Sequence, residues 1–398
     1  MSRICTTCDR IASDNNLFCV QTDCPKQTQP IFGHGVWIGD LRVVRMVYNT
    51  NLAHFYEATR QSPETGKKET CFVKVAHHNN TLEDTDPKQP YFFLINEANF
   101  LFQIQKDHPN RPHPRDPNHH LNMLPRLLLP YANHPIDNLS PTSKYVGTTT
   151  IDGRFYRYIV FEWIDGNFLT DKLAQNPQPY FRHAGRLIYA LLTTLQFLYQ
   201  QSNHYTHLNL NPSAVFIRSC TDAVWRPVLL DLGFIQSAQL NDNDFMHIVR
   251  QTADPRYTYH KLLNDESFQA LNADLYSLGM LLYTMLAGKP FLNDMTLSKP
   301  LLRQQAIKIN PKDVIIPVTA SQDEIAPLNT FIQTVVNMDA NRIVDVNDIR
   351  KTISGFEGLS PIPQKRSIAE WTWQIGLFLI IVALSTTLLA VVLGQLSA

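Results

Sequence analysis

The sequence predicts an α+β fold of two lobes, a strand-rich lobe followed by a helical one. Short apolar strands follow one another from Leu41 to Val75, whereas an apolar-rich helix is predicted from Arg186 to Gln200. Two further modules flank the lobes, because four cysteines lie near the start of the chain and an uncharged apolar stretch lies near its end. The predicted ranges are a four-cysteine zinc ribbon at 1–30, the strand-rich N-lobe at 36–165, the helical C-lobe at 166–355, a juxtamembrane linker at 356–370 and a transmembrane helix at 371–396.

The length and the charge balance of the chain limit the kinds of function that it can have. A chain of 398 residues is long enough for a two-lobed domain with small appendages. Lysine and arginine (35) balance aspartate and glutamate (35), so no overall basic field favours nucleic acid. We therefore expect no nucleic-acid partner.

The N-terminal cysteines form two close pairs, Cys5 with Cys8 and Cys19 with Cys24. Thiols at this spacing suit a tetrahedral zinc ion, and disulfides are unusual in the cytoplasm. A segment this short cannot build a core, so the metal would supply most of its folding free energy. Free or redox-active thiols are the alternative. Four sulfur ligands leave no open position, so the predicted zinc is structural.

The C-terminal stretch predicts a membrane anchor. No charged side chain occurs from Trp371 to Ala398, and Ile375–Leu393 is almost entirely apolar. A helix of that length spans roughly 28 Å, close to the hydrocarbon thickness of a bilayer. Lys365 and Arg366 precede it, as expected of a cytoplasmic flank. We predict a single-pass C-terminal anchor with a cytoplasmic N-terminal body and no signal peptide; the alternative is a buried helix of a soluble protein.

Three segments in the second half carry the functional pattern: His207–Ala214, Val228–Gly233 and Asp274–Gly279. In order and spacing they resemble the catalytic loop, the magnesium-binding segment and the central C-lobe helix of the eukaryotic-type protein kinase family. The family loop reads H-R-D-L-x-x-x-N, in which Asp is the base and Asn holds Mg²⁺. Here the base position is Asn209 and the metal position is Ala214. The resemblance implies a bilobal kinase-like fold in a degenerate member, a pseudokinase.

The resemblance extends into the first half. The strand Cys71–Val75 carries Lys74, the counterpart of the lysine that pairs with nucleotide phosphates and a helix glutamate, for which Glu97 is the match. Asp231 keeps the position of the metal ligand. Glu162 to Ile164 would present hinge backbone groups to an adenine. The glycine-rich phosphate loop is not retained, because Tyr48, Thr50 and Ala53 occupy the glycine positions.

Several C-lobe positions imply a fold kept without its reaction. His207 and Asp274 are retained, and in the family they support the catalytic loop. Leu208 replaces the arginine that would bind a phosphorylated activation segment. Lys261 stands where the family has the glutamate that closes this segment.

Three functional hypotheses follow. The first is a membrane-tethered pseudokinase that acts as a signalling scaffold for protein partners, with structural zinc and with Mg-ATP in doubt. The second is a slow, unconventional Ser/Thr kinase that uses Asp231 and a displaced carboxylate. The third is a purely structural adaptor whose cleft has collapsed, for which Tyr48 lying inside the cleft would be the sign.

Overall fold

The computed structural model describes residues 3–4, 11–12, 32–50, 52–62, 65–76, 89–110, 119–130, 143–151, 153–175, 181–219, 225–237, 243–264, 266, 268–293, 299–308, 314, 322–338 and 347. Met1–Gly358 form one compact unit and Leu359–Ala398 a second. The second unit, with the predicted transmembrane helix, lies outside the described residues. No helix among the described residues is long and apolar enough to cross a membrane.

The first lobe is built on one seven-stranded antiparallel sheet. Its members are β3 (Trp37–Ile38), β4 (Leu41–Asn49), β5 (Ala53–Gln61), β6 (Lys68–Ala76), β7 (Leu127–Leu128), β8 (Gly147–Ile151) and β9 (Arg154–Glu162). The order is β3-β4-β5-β6-β9-β7, and β8 also pairs with β9. One long helix, α1 (Gln89–Asp107), accompanies this sheet.

The other strands of the described residues form three small sheets, two with two strands and one with three. They contain β1 (Arg3–Ile4) with β2 (Ile11–Ala12), β10 (Gly166–Phe168) with β12 (Val215–Arg218) and β13 (Arg226–Leu229), and β11 (Tyr205–Thr206) with β14 (Gln236–Ser237).

The second lobe is mainly helical. Its helices are α2 (Leu169–Gln175), α3 (Phe181–Gln200), α4 (Asn243–Thr252), α5 (His260–Leu263), α6 (Ala270–Ala287), α7 (Lys299–Ile307) and α8 (Gln322–Val336). Every residue of α6 from Leu271 to Leu286 is buried. A helix that is apolar all round forms the centre of a domain rather than its surface.

The long strands position the candidate site because side chains alternate between the faces of a sheet. One face packs into a core that includes Val43, Tyr56, Val73 and Val160. The opposite face of β6 carries Phe72 and Lys74, both buried. Strand β5 places Phe55 directly opposite Lys74. This second face therefore presents aromatic and charged groups toward the other lobe.

The strands predicted between Leu41 and Val75 and the helix predicted at Arg186–Gln200 are present, with longer bounds. The region between α1 and β9 contains the short strands β7 and β8 and a 3-10 helix at His120–Met123. The four cysteines of the predicted zinc ribbon lie outside the described residues, although β1 and β2 pair antiparallel on either side of Cys5 and Cys8 in the sequence. No cluster of potential metal ligands occurs among the described residues.

Candidate functional site

A buried ion-pair triad lies between the sheet and helix α1. The ammonium Nζ of Lys74 is 2.5 Å from Oε2 of Glu97 and 2.6 Å from Oδ1 of Asp231. Strand β6 supplies the lysine, α1 the glutamate, and the turn after β13 the aspartate. Lys74 and Glu97 are 2% and 0% exposed, so the charges are fully inside the protein. The predicted pair of Lys74 and Glu97 is present, and Asp231 joins it.

The triad holds two carboxylates and one ammonium. Burial alone would lower the pKa of Lys74, but the carboxylates of Asp231 and Glu97 outweigh it and raise this pKa above its usual range. Burial raises the pKa of Glu97, against the opposing effect of Lys74. Lys74 is thus held charged, and its bonds go to protein carboxylates.

Helix α1 is fastened to the segment after Asp231. The Asn96 side chain donates to the carbonyls of Gly233 (2.8 Å) and Ile235 (2.7 Å), and Glu97 accepts from the Leu232 amide at 3.2 Å. A Cβ on Gly233 would lie 2.7 Å from the carbonyl oxygen of Phe93, so the helix can approach this closely only because glycine is there.

The turn between β4 and β5 is closed by its own hydrogen bonds. The hydroxyl of Thr50 accepts from the amides of Leu52 (3.3 Å) and Ala53 (3.1 Å), and the Thr50 amide donates to the Ala53 carbonyl at 2.9 Å. This is the position of the family's glycine-rich loop, where free amides surround phosphates. The amides of these three residues are satisfied within the turn.

Tyr48 crosses from the sheet to the helical lobe. Its ring stacks on Phe168 with centroids 4.1 Å apart and planes at 23°. Its hydroxyl lies 3.0 Å from the hydroxyl of Ser213, which is itself 3.3 Å from that of Thr170. The tyrosine is only 8% exposed. Tyr48 therefore lies inside the cleft between the lobes.

Four more aromatic rings continue the filling of the cleft. Phe168 contacts Phe55 and Phe216, with centroids 5.6 Å and 5.1 Å apart. Phe216 contacts Phe72 at 5.5 Å, edge to face. The "aromatic cluster" is defined as Tyr48, Phe55, Phe72, Phe168 and Phe216. It runs without interruption from the N-lobe sheet to the C-lobe sheet.

The hinge borders this cluster. Phe72 also stacks on Trp163, with centroids 4.5 Å apart. Glu162 ends β9, and its amide donates to the Arg126 carbonyl at 2.9 Å. Ile164 is 5% exposed. The predicted hinge residues thus lie beside the cleft, with an aromatic pair between the hinge and β6.

The loop at the base position is bonded to itself and to Asp254. Asp254 lies in the segment that ends near Lys261, at the place of the family's activation segment. The side-chain oxygen of Asn209 accepts from the Asp254 amide (3.2 Å) and from the Asn211 side chain (3.2 Å). Asn211 also accepts from the Ser213 amide at 2.8 Å. Ala214 is fully buried, and its carbonyl accepts from the Leu230 amide at 2.8 Å. Asn209 acts here as an acceptor that anchors backbone.

Asp274 supports this loop from helix α6. Its carboxylate accepts the amides of His207 and Leu208, each at 2.7 Å. Burial raises the pKa of Asp274 to about 7 and lowers the pKa of His207 to about 4. The contact of Asp274 with the loop agrees with the structural role expected for it.

The activation segment reaches the base position through the backbone amide of Asp254. Asp254, whose amide reaches Asn209, forms a two-pronged pair with Arg256 at 2.9 Å and 2.6 Å. Upstream, helix α4 contacts α1 through Phe245, whose ring centroid lies 5.7 Å from that of Phe92. The segment is folded over most of its described length.

Comparison with known proteins decides the family. The model of the protein kinase domain matches residues 145–351. The chain belongs to the protein kinase family.

The individual relatives are also named as kinases. Human ribosomal protein S6 kinase alpha-2 is 31% identical over 186 residues, 45% of this chain and 22% of that protein. Zebrafish ribosomal protein S6 kinase alpha-6 is 32% identical over 182 residues, with the same coverage. CBL-interacting serine/threonine-protein kinase 3 of Arabidopsis thaliana is 26% identical over 132 residues, 33% of this chain and 28% of that protein. The matched segments span 22–28% of the length of these relatives.

A solved structure extends the likeness to the fold of both lobes. The PknI kinase domain of Mycobacterium tuberculosis superposes with a TM-score of 0.50 at 16% identity, covering 83% of this chain and 100% of that one. At this identity the match concerns the fold. The fold match thus extends over the N-lobe, of which the family model covers only the part from residue 145 onward.

Two functional features of this kinase domain escape a motif search. The aromatic cluster is visible only once strand register is known, since Tyr48, Phe55 and Phe72 share a face with Lys74. The sequence motifs give no role to Asp254, because the activation segment that contains it is degenerate. Its contact with Asn209 is a tertiary contact that the sequence does not reveal.

Proposed function

We propose that this kinase-family domain is a pseudokinase, a non-catalytic scaffold that binds protein partners in a signalling pathway at a membrane. Its lobes are joined by the aromatic cluster in place of a nucleotide. The observation that carries the nucleotide-free form of this proposal is the position of Tyr48, stacked on Phe168 and bonded to Ser213 inside the cleft. The same position is the sign expected of the third hypothesis, a collapsed cleft, so the proposed scaffold takes that feature over from it.

Mg-ATP does not fit the cleft as it stands. A base sandwiched between two groups needs them about 7 Å apart, twice the usual van der Waals separation, whereas Phe72 and Phe216 are in ring contact at 5.5 Å. The amides at the phosphate-loop position are satisfied within their turn. Ala214 has no metal-binding oxygen, and Asp231 is paired with Lys74. No phosphoryl-transfer step follows from these residues.

Two further modules belong to the proposal. The thiols of Cys5, Cys8, Cys19 and Cys24 would hold a structural zinc, whose coordination would fold the ribbon. The segment 371–396 would anchor the chain in a membrane with its body in the cytoplasm. Anchoring would raise the effective concentration of the scaffold near other membrane proteins.

The test is whether the full-length protein in lipid nanodiscs binds nucleotide. Binding is detected as a shift of the thermal unfolding curve at millimolar ATP, with and without Mg²⁺. We expect no shift of the melting temperature in the wild type. A Phe72→Ala, Tyr48→Ala double variant, which opens space in the cleft, serves as the matched comparison. A Mg²⁺-dependent rise in the wild type that is lost in Asp231→Asn would overturn the nucleotide-free scaffold.

A slow Ser/Thr kinase is the second candidate. It is favoured by the Ser/Thr kinase relatives, by the intact pair of Lys74 and Glu97, and by Asp254, a carboxylate residue beside the base position. Its test is incorporation of labelled phosphate from ATP. Incorporation that disappears in both Asp254→Asn and Lys74→Met, but persists in the exposed control Asp107→Asn, would establish this candidate and exclude the first.

A further inference from the structure

A separate cavity of about 670 Å³ lies at the C-terminal end of helix α1, outside the nucleotide cleft. Cavities of this size hold small organic ligands. The buried side chains of Leu101, Ile104, Leu121 and Leu124 supply its apolar part. Phe102 and Tyr145, with ring centroids 5.4 Å apart, add an aromatic pair to the lining.

The charged groups of this cavity are all of one sign. Lys106 and Arg126 line it beside the imidazole of His108, and the lining residues that the structure describes include no carboxylate. The neighbouring Asp107 accepts both its described bonds from the Gln103 side chain, at 2.9 Å and 2.8 Å. An anion in the cavity would therefore meet cations without a competing carboxylate in the described lining.

The basic side chains of the cavity differ in the contacts that the fold gives them. Lys106 lies in the last turn of α1, where exposed carbonyls favour a positive charge. His108 shares its Nε2 hydrogen with Gln201 at 3.2 Å. Arg126 is exposed, belongs to no helix, and its guanidinium has no ion-pair partner among the described residues. Arg126 is thus the group whose presence a ligand would best explain.

The cavity is connected to the hinge and to the triad. The carbonyl of Arg126 accepts from the amide of Glu162 in the hinge. The side chain of Gln105 bonds both to the amide (2.6 Å) and to the carbonyl (3.2 Å) of Leu127 in β7. Helix α1 also carries Glu97. A ligand here would contact the two elements that border the cleft.

We propose that this cavity binds a small amphipathic carboxylate, with its apolar body against the leucines and the aromatic pair and its carboxylate at Arg126 and Lys106. The site is independent of whether the cleft binds nucleotide.

The probe is 6-fluoro-2-naphthoate, and its binding is measured by broadening of its ¹⁹F NMR line. The sample is the full-length protein in lipid nanodiscs, and empty nanodiscs serve as the blank. We expect saturable broadening with the protein and weaker binding of the neutral 6-fluoro-2-naphthamide. Charge reversal in Arg126→Glu should raise the Kd of the carboxylate roughly tenfold, and Lys67→Glu, at an exposed lysine of the β5–β6 turn, should leave it unchanged.

Three results would overturn the proposal: no saturable binding at millimolar probe, equal binding of acid and amide, or an unchanged Kd in Arg126→Glu. Thermal unfolding without the probe checks that each variant is folded. If Arg126→Glu does not fold, Arg126→Gln replaces it and should raise the Kd by a smaller factor, with an unchanged Kd again counting against the site.

Discussion

The hydroxyls of Tyr48 and Ser213 lie 3.0 Å apart although 165 residues separate them in the chain. One belongs to the strand before the phosphate-loop turn and the other to the catalytic loop. A nucleotide usually lies between these two elements. In this protein a side chain of the domain itself joins them.

Removing the Tyr48 hydroxyl and removing its ring should have different effects on stability. Tyr48→Phe loses one buried hydrogen bond and should lower the free energy of unfolding by about 1 kcal/mol. Tyr48→Ala also loses the stack on Phe168 and should lower it by about 3–5 kcal/mol. Urea unfolding measures both. Tyr91→Phe, which loses a bond at an exposed site, is the control, and equal effects of Tyr91→Phe and Tyr48→Phe would contradict the interlobe contact.

Breaking the triad at its lysine should be costly. Lys74→Met leaves the buried carboxylates of Glu97 and Asp231 without their ammonium, and we expect a loss of about 3–5 kcal/mol in the free energy of unfolding. Lys68→Met changes an exposed lysine of the same strand and should cost less than about 0.5 kcal/mol. If both variants unfold at the same urea concentration, the triad contributes nothing to stability.

The pH dependence of stability should become steeper in one variant. His207 is buried neutral with a folded pKa of about 4 against an ordinary 6.5, so its contribution is present above pH 6.5 and is lost as pH falls toward 4. Asp274, with its pKa raised to about 7, acts oppositely: its contribution is present below its ordinary 3.8 and is lost as pH rises toward 7.

The two effects oppose each other in the wild type. His207→Gln leaves only the effect of Asp274, so this variant should gain about 2 kcal/mol relative to the wild type between pH 7.5 and pH 5. Urea unfolding at the two pH values gives the difference. A constant difference between variant and wild type would show that His207 does not titrate as its burial implies.

Restoring the missing catalytic groups alone should not restore activity. Asn209→Asp with Ala214→Asn supplies a base and a metal ligand, but the aromatic cluster still fills the cleft. We expect no ATP-dependent phosphorylation by this double variant, and a Mg²⁺-ATP thermal shift only when Tyr48→Gly and Phe72→Ala are added. Phosphorylation by the double variant alone would mean that the cleft opens readily.

The zinc prediction is tested by metal analysis of the full-length protein. We expect one zinc per chain, and its loss when Cys5 and Cys8 are both changed to Ser, because two thiolates do not complete a tetrahedral site. Cys71→Ser, at a buried thiol of β6, should retain the metal. Zinc retained without the first cysteine pair would exclude the ribbon.

The sequence allowed the Lys74–Glu97 pair, the hinge and the support of the catalytic loop by Asp274 to be predicted. These features follow from the order and spacing of the motifs along the chain, and each involves residue types with one obvious partner. The aromatic cluster could not be derived in this way. Phe55 and Phe72 look like ordinary strand residues until the pairing of β5 with β6 shows that they share the face of Lys74.

Helix α4 was missed for a different reason. Its apolar residues Phe245, Ile248 and Val249 recur at helical spacing, but the motif comparison did not consider this segment. In the structure Phe245 packs against Phe92 and Phe93 of α1. Tertiary packing of this kind determines short helices more than local propensity does.

The contact of Phe72 with Phe216 also has a pharmacological consequence. Compounds that compete with ATP insert a flat heterocycle between the upper and lower walls of the cleft, and here those walls touch. We expect ATP-competitive inhibitors from broad collections not to bind this protein. A chemical tool against it would have to be sought at another surface, or be made for a variant whose cleft has been hollowed out.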